Sequence, residues 1–175
     1  MVTTASTNNA AADSVDLSGI YVISSADPAA GGRCLDADGN SPKVDGTKVQ
    51  LWMPNGTPHQ KWKLERIANT DNYYSIVSLW HNLETGYLDA DGYGLGTPGT
   101  KVQLWTSNGL PHQQWQINPI GDDTYRIICA SPRAKQVKFL DAHGHQVGIN
   151  GGAIQLWPDN GAVRNQLWKL EKTSR

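Results

Sequence analysis

Three times along this chain the same string of residues returns at almost the same distance. It opens as Leu-Asp-Ala-x-Gly, passes through Val/Ile-Gln-Leu-Trp and Asn-Gly, and ends as Gln-x-Trp. The first copy runs Leu35-Asp36-Ala37-Asp38-Gly39, Lys48-Val49-Gln50-Leu51-Trp52, Asn55-Gly56 and Gln60-Lys61-Trp62. The second runs Leu88-Asp89-Ala90-Asp91-Gly92, Lys101-Val102-Gln103-Leu104-Trp105, Asn108-Gly109 and Gln113-Gln114-Trp115. The third runs Leu140-Asp141-Ala142-His143-Gly144, Ala153-Ile154-Gln155-Leu156-Trp157, Asn160-Gly161 and Gln166-Leu167-Trp168. Asp36 to Asp89 is 53 residues and Asp89 to Asp141 is 52. A period of this size marks one supersecondary unit, repeated because a single copy cannot bury its own apolar face. Three copies predict closure around a pseudo-threefold axis rather than an open solenoid.

Within each copy, four short runs of strand character are separated by Gly, Asn, Asp and Pro. They are Tyr-x-Ile (Tyr21, Tyr74 and Tyr125 lead the three), the run into Leu-Asp, Val/Ile-Gln-Leu-Trp, and Trp-x-Leu/Ile. No stretch keeps helical periodicity over three turns. The chain is therefore all-β, with twelve strands in three repeats at about residues 18–70, 71–122 and 123–172. Alternation sorts the tryptophans into two roles. Val49 and Leu51 share a core face, which sends Lys48, Gln50 and Trp52 to the other side, and likewise Trp105 and Trp157. Trp62 shares a face with Leu64, so Trp62, Trp115 and Trp168 are core, each worth ~3–5 kcal/mol against truncation.

The totals bound the partners. With a net charge of −1 and only 18% charged residues, the chain carries no basic cluster for nucleic acid or an anionic membrane. No apolar run approaches the ~20 residues of a membrane span. Residues 1–17 are rich in Ala, Thr, Asn and Ser without the pattern of a secretory signal, and read as a disordered leader or linker before a domain at 18–175. Cys34 and Cys129 fall at non-equivalent places and read as free buried thiols. A cytoplasmic location, or export without a signal peptide, follows.

The three Gln-x-Trp motifs, each preceded by Leu-Asp and Gln-Leu-Trp at matching offsets, closely resemble the ricin B-type β-trefoil lectins over roughly residues 18–172. The resemblance implies a β-trefoil that binds sugars through up to three shallow sites, recognising terminal galactose or N-acetylgalactosamine on glycoproteins or glycolipids, without catalysis, metal or cofactor. By position it implies Asp36, Gln50, Trp52, His59 and Gln60 for site one. Site two is Asp89, Gln103, Trp105, His112 and Gln113, and site three is Asp141, Gln155, Trp157, Asn165 and Gln166. In such sites the Asp accepts two sugar hydroxyls and the outward aromatic stacks on the apolar face of the ring. An ionised carboxylate suits that task because it accepts more than one charge-assisted bond. Two departures from the family pattern stand out: His59 and His112 replace the Asn kept as Asn165, and the intra-repeat disulfide of many secreted relatives is absent.

Other readings compete at several of these residues. Asp38 and Asp91, close to Gly, are turn formers. Gln60, Gln113 and Gln166 read first as structural, bonding loop backbone, and second as sugar contacts. Asp141 is expected in a loop, where truncation costs within ~1 kcal/mol. His143 and His145 have no third metal ligand at a familiar spacing. No Gly-x-Ser-x-Gly or comparable element accompanies the Asp and His residues, so hydrolysis is disfavoured. Two rivals remain: a protein-binding trefoil, such as an inhibitor or toxin-targeting module, and a carbohydrate-binding module of a larger glycosidase. The oligomeric state is left open, a homodimer included.

Overall fold

All twelve strands form, in the order and the repeats that the sequence implies. The first repeat holds β1 (Gly19–Ser25), β2 (Cys34–Ala37), β3 (Thr47–Trp52) and β4 (Trp62–Arg66). The second holds β5 (Tyr73–Ser78), β6 (Tyr87–Ala90), β7 (Thr100–Trp105) and β8 (Trp115–Gly121). The third holds β9 (Thr124–Cys129), β10 (Val137–Ala142), β11 (Gly152–Pro158) and β12 (Trp168–Thr173). This computed structural model describes residues 15–40, 43–80, 85–161 and 163–174. Most of the expected leader, residues 1–14, lies outside them. Leu17, its last residue, packs into the core at 8% exposure and donates its N–H to the Tyr74 hydroxyl at 3.1 Å.

Pairing divides the strands into a barrel and a cap. The first and last strands of each repeat close an antiparallel ring, β1–β4–β5–β8–β9–β12 and back to β1. The middle two of each repeat form the hairpins β2–β3, β6–β7 and β10–β11. The hairpins meet through β3–β7, β7–β11 and β11–β3, which makes a three-sided lid over one end of the ring. Closure leaves no free edge on the ring, and it needs all three copies.

One residue position makes the lid possible. Gly46, Gly99 and Gly151 stand just before β3, β7 and β11 with φ of +89°, +87° and +86°, a region closed to most side chains. Each N–H then crosses to the next hairpin: Gly46 to the Leu104 carbonyl, Gly99 to that of Leu156, and Gly151 to that of Leu51, at 2.8–3.0 Å. The three bonds form a cycle, one per interface.

The core sits between ring and lid. In the hairpins, Leu35 lies opposite Leu51, Leu88 opposite Leu104 and Leu140 opposite Leu156, all fully buried. Below them Trp62, Trp115 and Trp168 are also fully buried, as alternation requires. Each indole N–H donates upward to a hairpin carbonyl: Trp62 to Leu35 at 3.0 Å, Trp115 to Leu88 at 2.9 Å and Trp168 to Leu140 at 3.0 Å. A buried indole needs such a partner, and here the bond fastens barrel to lid. Cys34 and Cys129 are buried and unbridged, and burial pushes their thiols up to about 12 and about 11. Short 3-10 turns, Pro58–Gln60, Pro111–Gln113 and Arg164–Gln166, precede the three core tryptophans. A single turn of this kind is too short to register as periodicity.

Trp115→Ala should cost about 3–5 kcal/mol in urea unfolding. Trp115→Phe keeps most of the ring and orphans the Leu88 carbonyl, so a loss of about 1–3 kcal/mol is expected. A phenylalanine variant as stable as the parent would show that the indole bond contributes nothing.

Candidate functional site

On a strand, neighbouring side chains face opposite sides of the sheet. The Leu-Asp dipeptide uses this: leucine enters the core and aspartate stands on the outer face of the hairpin. Register sets Asp36 directly opposite Gln50, Asp89 opposite Gln103 and Asp141 opposite Gln155. Each of these glutamines donates its amide N–H to Oδ1 of the facing aspartate, at 3.1, 3.3 and 2.9 Å. The Gln of each Gln-x-Trp comes from the other side. Gln60, Gln113 and Gln166 donate from Nε2 to Oδ2 of Asp36, Asp89 and Asp141 at 3.0, 3.1 and 3.1 Å.

The second glutamine also organises the loop after the outward tryptophan. Its Nε2 donates to the carbonyl of Met53, Thr106 or Pro158 at 2.8–2.9 Å. Its Oε1 accepts the backbone N–H of Asn55, Asn108 or Asn160, the Asn of each Asn-Gly turn. Gln60, Gln113 and Gln166 are buried, so their work is to position the carboxylate and the turn. The loop bonding anticipated for them is present, and the bond to Asp comes in addition.

The aspartates are more enclosed than the sequence implies. Asp36, Asp89 and Asp141 are only 4%, 2% and 1% exposed, and Asp141 lies on β10 rather than in a loop. The physical reason is the register: a residue paired with Gln155 in a cross-strand ladder cannot be a loop residue, and its truncation cannot be nearly free. Burial pushes all three carboxyls above the usual aspartate value of 3.8, against the glutamine hydrogen bonds, which pull them down. A carboxylate offers about four acceptor places. The two glutamines occupy one on each oxygen of Asp36, which leaves one on each for a ligand hydroxyl.

Trp52, Trp105 and Trp157 stand beside these carboxylates on the same hairpins. Trp105 and Trp157 are 37% and 39% exposed, and Trp52 is half-buried. The glycines that close the lid also border the sites. A side chain at Gly46 would meet Gln103 and Trp105, one at Gly99 would meet Gln155 and Trp157, and one at Gly151 would meet Gln50, all within 4 Å. The residue after the tryptophan is tied to the neighbouring repeat: Asn150 accepts the Met53 N–H, and Asp45 accepts both donors of Thr106. Trp105 and Trp157 thus border a glycine of the preceding repeat, and the chain just after Trp52 is held by the third.

The polar residue just before Gln-x-Trp differs between the copies. Asn165 donates to Asp141 Oδ2 at 2.8 Å and to the Ala142 carbonyl at 3.1 Å. His112 brings Nε2 to 3.4 Å from Asp89 Oδ2 and 3.3 Å from the Asn108 amide. His59 does neither. Its Nδ1 meets Thr57 Oγ1 at 3.0 Å, and its ring leans on Trp80 with centroids 4.4 Å apart. The two histidines hold equivalent places but reach different partners. Among the described residues, no three His, Cys, Asp or Glu side chains gather to hold a metal ion.

Four residues at the sites went unread in the sequence. Trp80 flanks site one, with the Lys43 ammonium 5.1 Å from its ring. Tyr93, fully exposed, and Arg133 join Asp89, Asp91, Gln103, Trp105, Asn108 and His112 around a cavity of about 540 Å³ at site two. Trp80 is the one tryptophan outside the repeat pattern, which was a signal; Arg133 belongs to the third repeat and no spacing rule points to it.

The sequence matches the ricin-type beta-trefoil lectin domain-like pattern over residues 13–105 and 81–157. A sequence search of the curated proteins finds no match. Among solved structures, the fold is similar to ThreeFoil, a designed threefold-symmetric protein, at 24% identity and a TM-score of 0.74, over 89% of this chain and 99% of that one. It is also similar to an exo-beta-1,3-galactanase from Clostridium thermocellum at 27% identity and a TM-score of 0.73. That match covers 90% of this chain, which spans only 31% of the galactanase. A ricin B-like lectin from Macrolepiota procera, solved in complex with lactose, matches at 18% identity and a TM-score of 0.68, over 91% of this chain and 99% of that one.

Two stability measurements follow from the enclosed carboxylates. Asp141→Ala strands the Gln155 amide and should cost about 1–3 kcal/mol, whereas Trp157→Ala, at an exposed site, should stay within about 1 kcal/mol. Equal losses in urea unfolding would contradict the buried, bonded position of Asp141. The second concerns acid. A carboxyl whose pKa is raised by folding binds its proton more readily in the folded chain, so its stabilising share is full below the unfolded value and is lost as pH rises through the folded one. The urea midpoint of the parent should therefore gain on that of Asp141→Asn as pH falls toward the usual aspartate value of 3.8; a gap that shrinks on acidification would reverse the sign.

Proposed function

The chain belongs to the ricin-type beta-trefoil lectin-like family, and from that premise we propose that it is a non-catalytic lectin for terminal galactose or N-acetylgalactosamine. One observation carries this reading. In every repeat a carboxylate, aimed by two amides, stands beside an outward indole on the same hairpin face. A pyranose presents hydroxyls on its rim and C–H groups on its face. Galactose, with an axial hydroxyl, gathers its C–H groups into one patch that an indole covers. Carboxylate for hydroxyls and indole for the patch are the two contacts such a ring needs at once. The amides matter because they fix the carboxylate before the sugar arrives, so little side-chain freedom is lost on binding.

The proposed site residues are Asp36, Gln50, Trp52, His59 and Gln60, then Asp89, Gln103, Trp105, His112 and Gln113, then Asp141, Gln155, Trp157, Asn165 and Gln166. Within them Asp and Trp touch the ligand, and the buried glutamines position the Asp. The likeness to part of a galactanase favours a second setting for the same chemistry, in which a trefoil of this kind holds an attached enzyme against a galactose polymer.

Calorimetric titration with lactose tests the proposal. Each shallow site should hold the disaccharide with a Kd of about 0.1–1 mM. Trp157→Ala should remove one site from the stoichiometry while the fold stays intact, and Trp52→Ala and Trp105→Ala should do the same. Three sites on one rigid body face apart and can bridge separate glycans, with an avidity gain of about 10²-fold. The parent should agglutinate galactose-bearing cells, and a variant left with one site should not if it is monomeric. Unchanged lactose binding in all three tryptophan variants would sink the site assignment.

A further inference from the structure

Site two has a wall that its own repeat does not supply. The 3-10 turn Pro132–Ala134 follows β9 in the third repeat and carries Arg133 to the cavity over Asp89 and Trp105. The approach is close: a Cβ on Gly96, in the loop after β6, would lie 2.9 Å from the Arg133 carbonyl. The same approach recurs one repeat on, where a Cβ on Gly148 would lie 3.0 Å from the Ala29 carbonyl. Ala29 is thus the counterpart of Arg133, on the matching turn Pro28–Ala30 beside site three. One position in a shared frame carries a cation at site two and a methyl group at site three.

Arg133 is exposed at the cavity, and no carboxylate among the described residues pairs with it. Neither aspartate of the cavity forms an ion pair with it. Asp89 is buried and takes the glutamine amides, and Asp91 accepts the Tyr93 N–H at 3.0 Å to close its own turn. Tyr93, wholly exposed at the same mouth, offers a ring face to whatever extends beyond the sugar held by Trp105. A cavity of about 540 Å³ is roomier than one pyranose ring needs.

We propose that site two takes an acidic glycan: a galactose-type sugar bearing a carboxylate or sulfate, whose anion meets the Arg133 guanidinium. The proposal rests on the lectin reading above, since the galactose-type unit is held by Asp89 and Trp105. A planar guanidinium presents paired N–H donors that match either anion, so both are candidates by their shared chemistry. Site three, with Ala29 in the same place, has no such preference.

The test uses the full chain with sites one and three silenced by Trp52→Ala and Trp157→Ala, titrated with lactose, sialyllactose and lactose sulfated on galactose. At low salt one or both acidic sugars should bind about two- to tenfold more tightly than lactose, and the advantage should fade as salt rises. Arg133→Gln should abolish the preference and leave the lactose Kd unchanged. The arm that shows the preference, carboxylate or sulfate, names the anion. Lactose bound while neither acidic sugar is favoured, or a preference that survives Arg133→Gln, overturns the assignment of Arg133 and leaves the lectin reading standing. No binding of any of the three sugars overturns both together.

Discussion

Everything at the surface of this trefoil depends on how Gln-x-Trp grips Leu-Asp. Leucine and aspartate are adjacent on a strand, so one faces the core and the other faces out. The glutamine and tryptophan, two residues apart around the end of a 3-10 turn, take hold of both. The indole N–H bonds the leucine carbonyl from inside, and the glutamine amide bonds the aspartate carboxylate from beside it. A motif that looks like a packing signature is also what aims the site. Loss of the tryptophan would release the hairpin, and loss of the glutamine would leave a buried carboxylate short of a donor.

The same geometry explains why the carboxylates tolerate enclosure. Burial raises the cost of their charge, and the amides return part of it. A carboxylate free in solution would be solvated on all sides and would have to shed that water for a sugar. Here the protein has already replaced much of the water with fixed donors, so less water remains to be shed.

Closure adds a second dependence. The Gly46, Gly99 and Gly151 bonds run around the lid in one direction, and each of these glycines borders the site of a neighbouring copy, at Gln103 and Trp105, at Gln155 and Trp157, and at Gln50. No site is complete within its own repeat. This is also the route by which the three diverge: the frame of Asp, two Gln and Trp is common to all. The walls are not, with Trp80 and Lys43 near site one, Tyr93 and Arg133 at site two, and Ala29 near site three. His59 and His112 occupy equivalent chain positions, yet one turns to Thr57 and Trp80 and the other to Asp89.

The repeat period, the alternation within each run and the Asn-Gly turns were legible in the sequence and determined the twelve strands, the core tryptophans and the outward ones. Local alternation suffices there because a strand has only two faces. The Asp, Gln and Trp of each frame were legible too, since repetition marks them three times. What tertiary structure alone decided is how deeply the aspartates sit, which fixes their bonding and their raised pKa values. It also decided which repeat supplies each wall. Asp141 reads as a loop residue until its register with Gln155 is known, and Arg133 reads as a surface charge until β9 and the loop after β6 are brought together. Those facts follow from closure of the ring, a constraint between residues far apart in the chain, and no short window of sequence contains it.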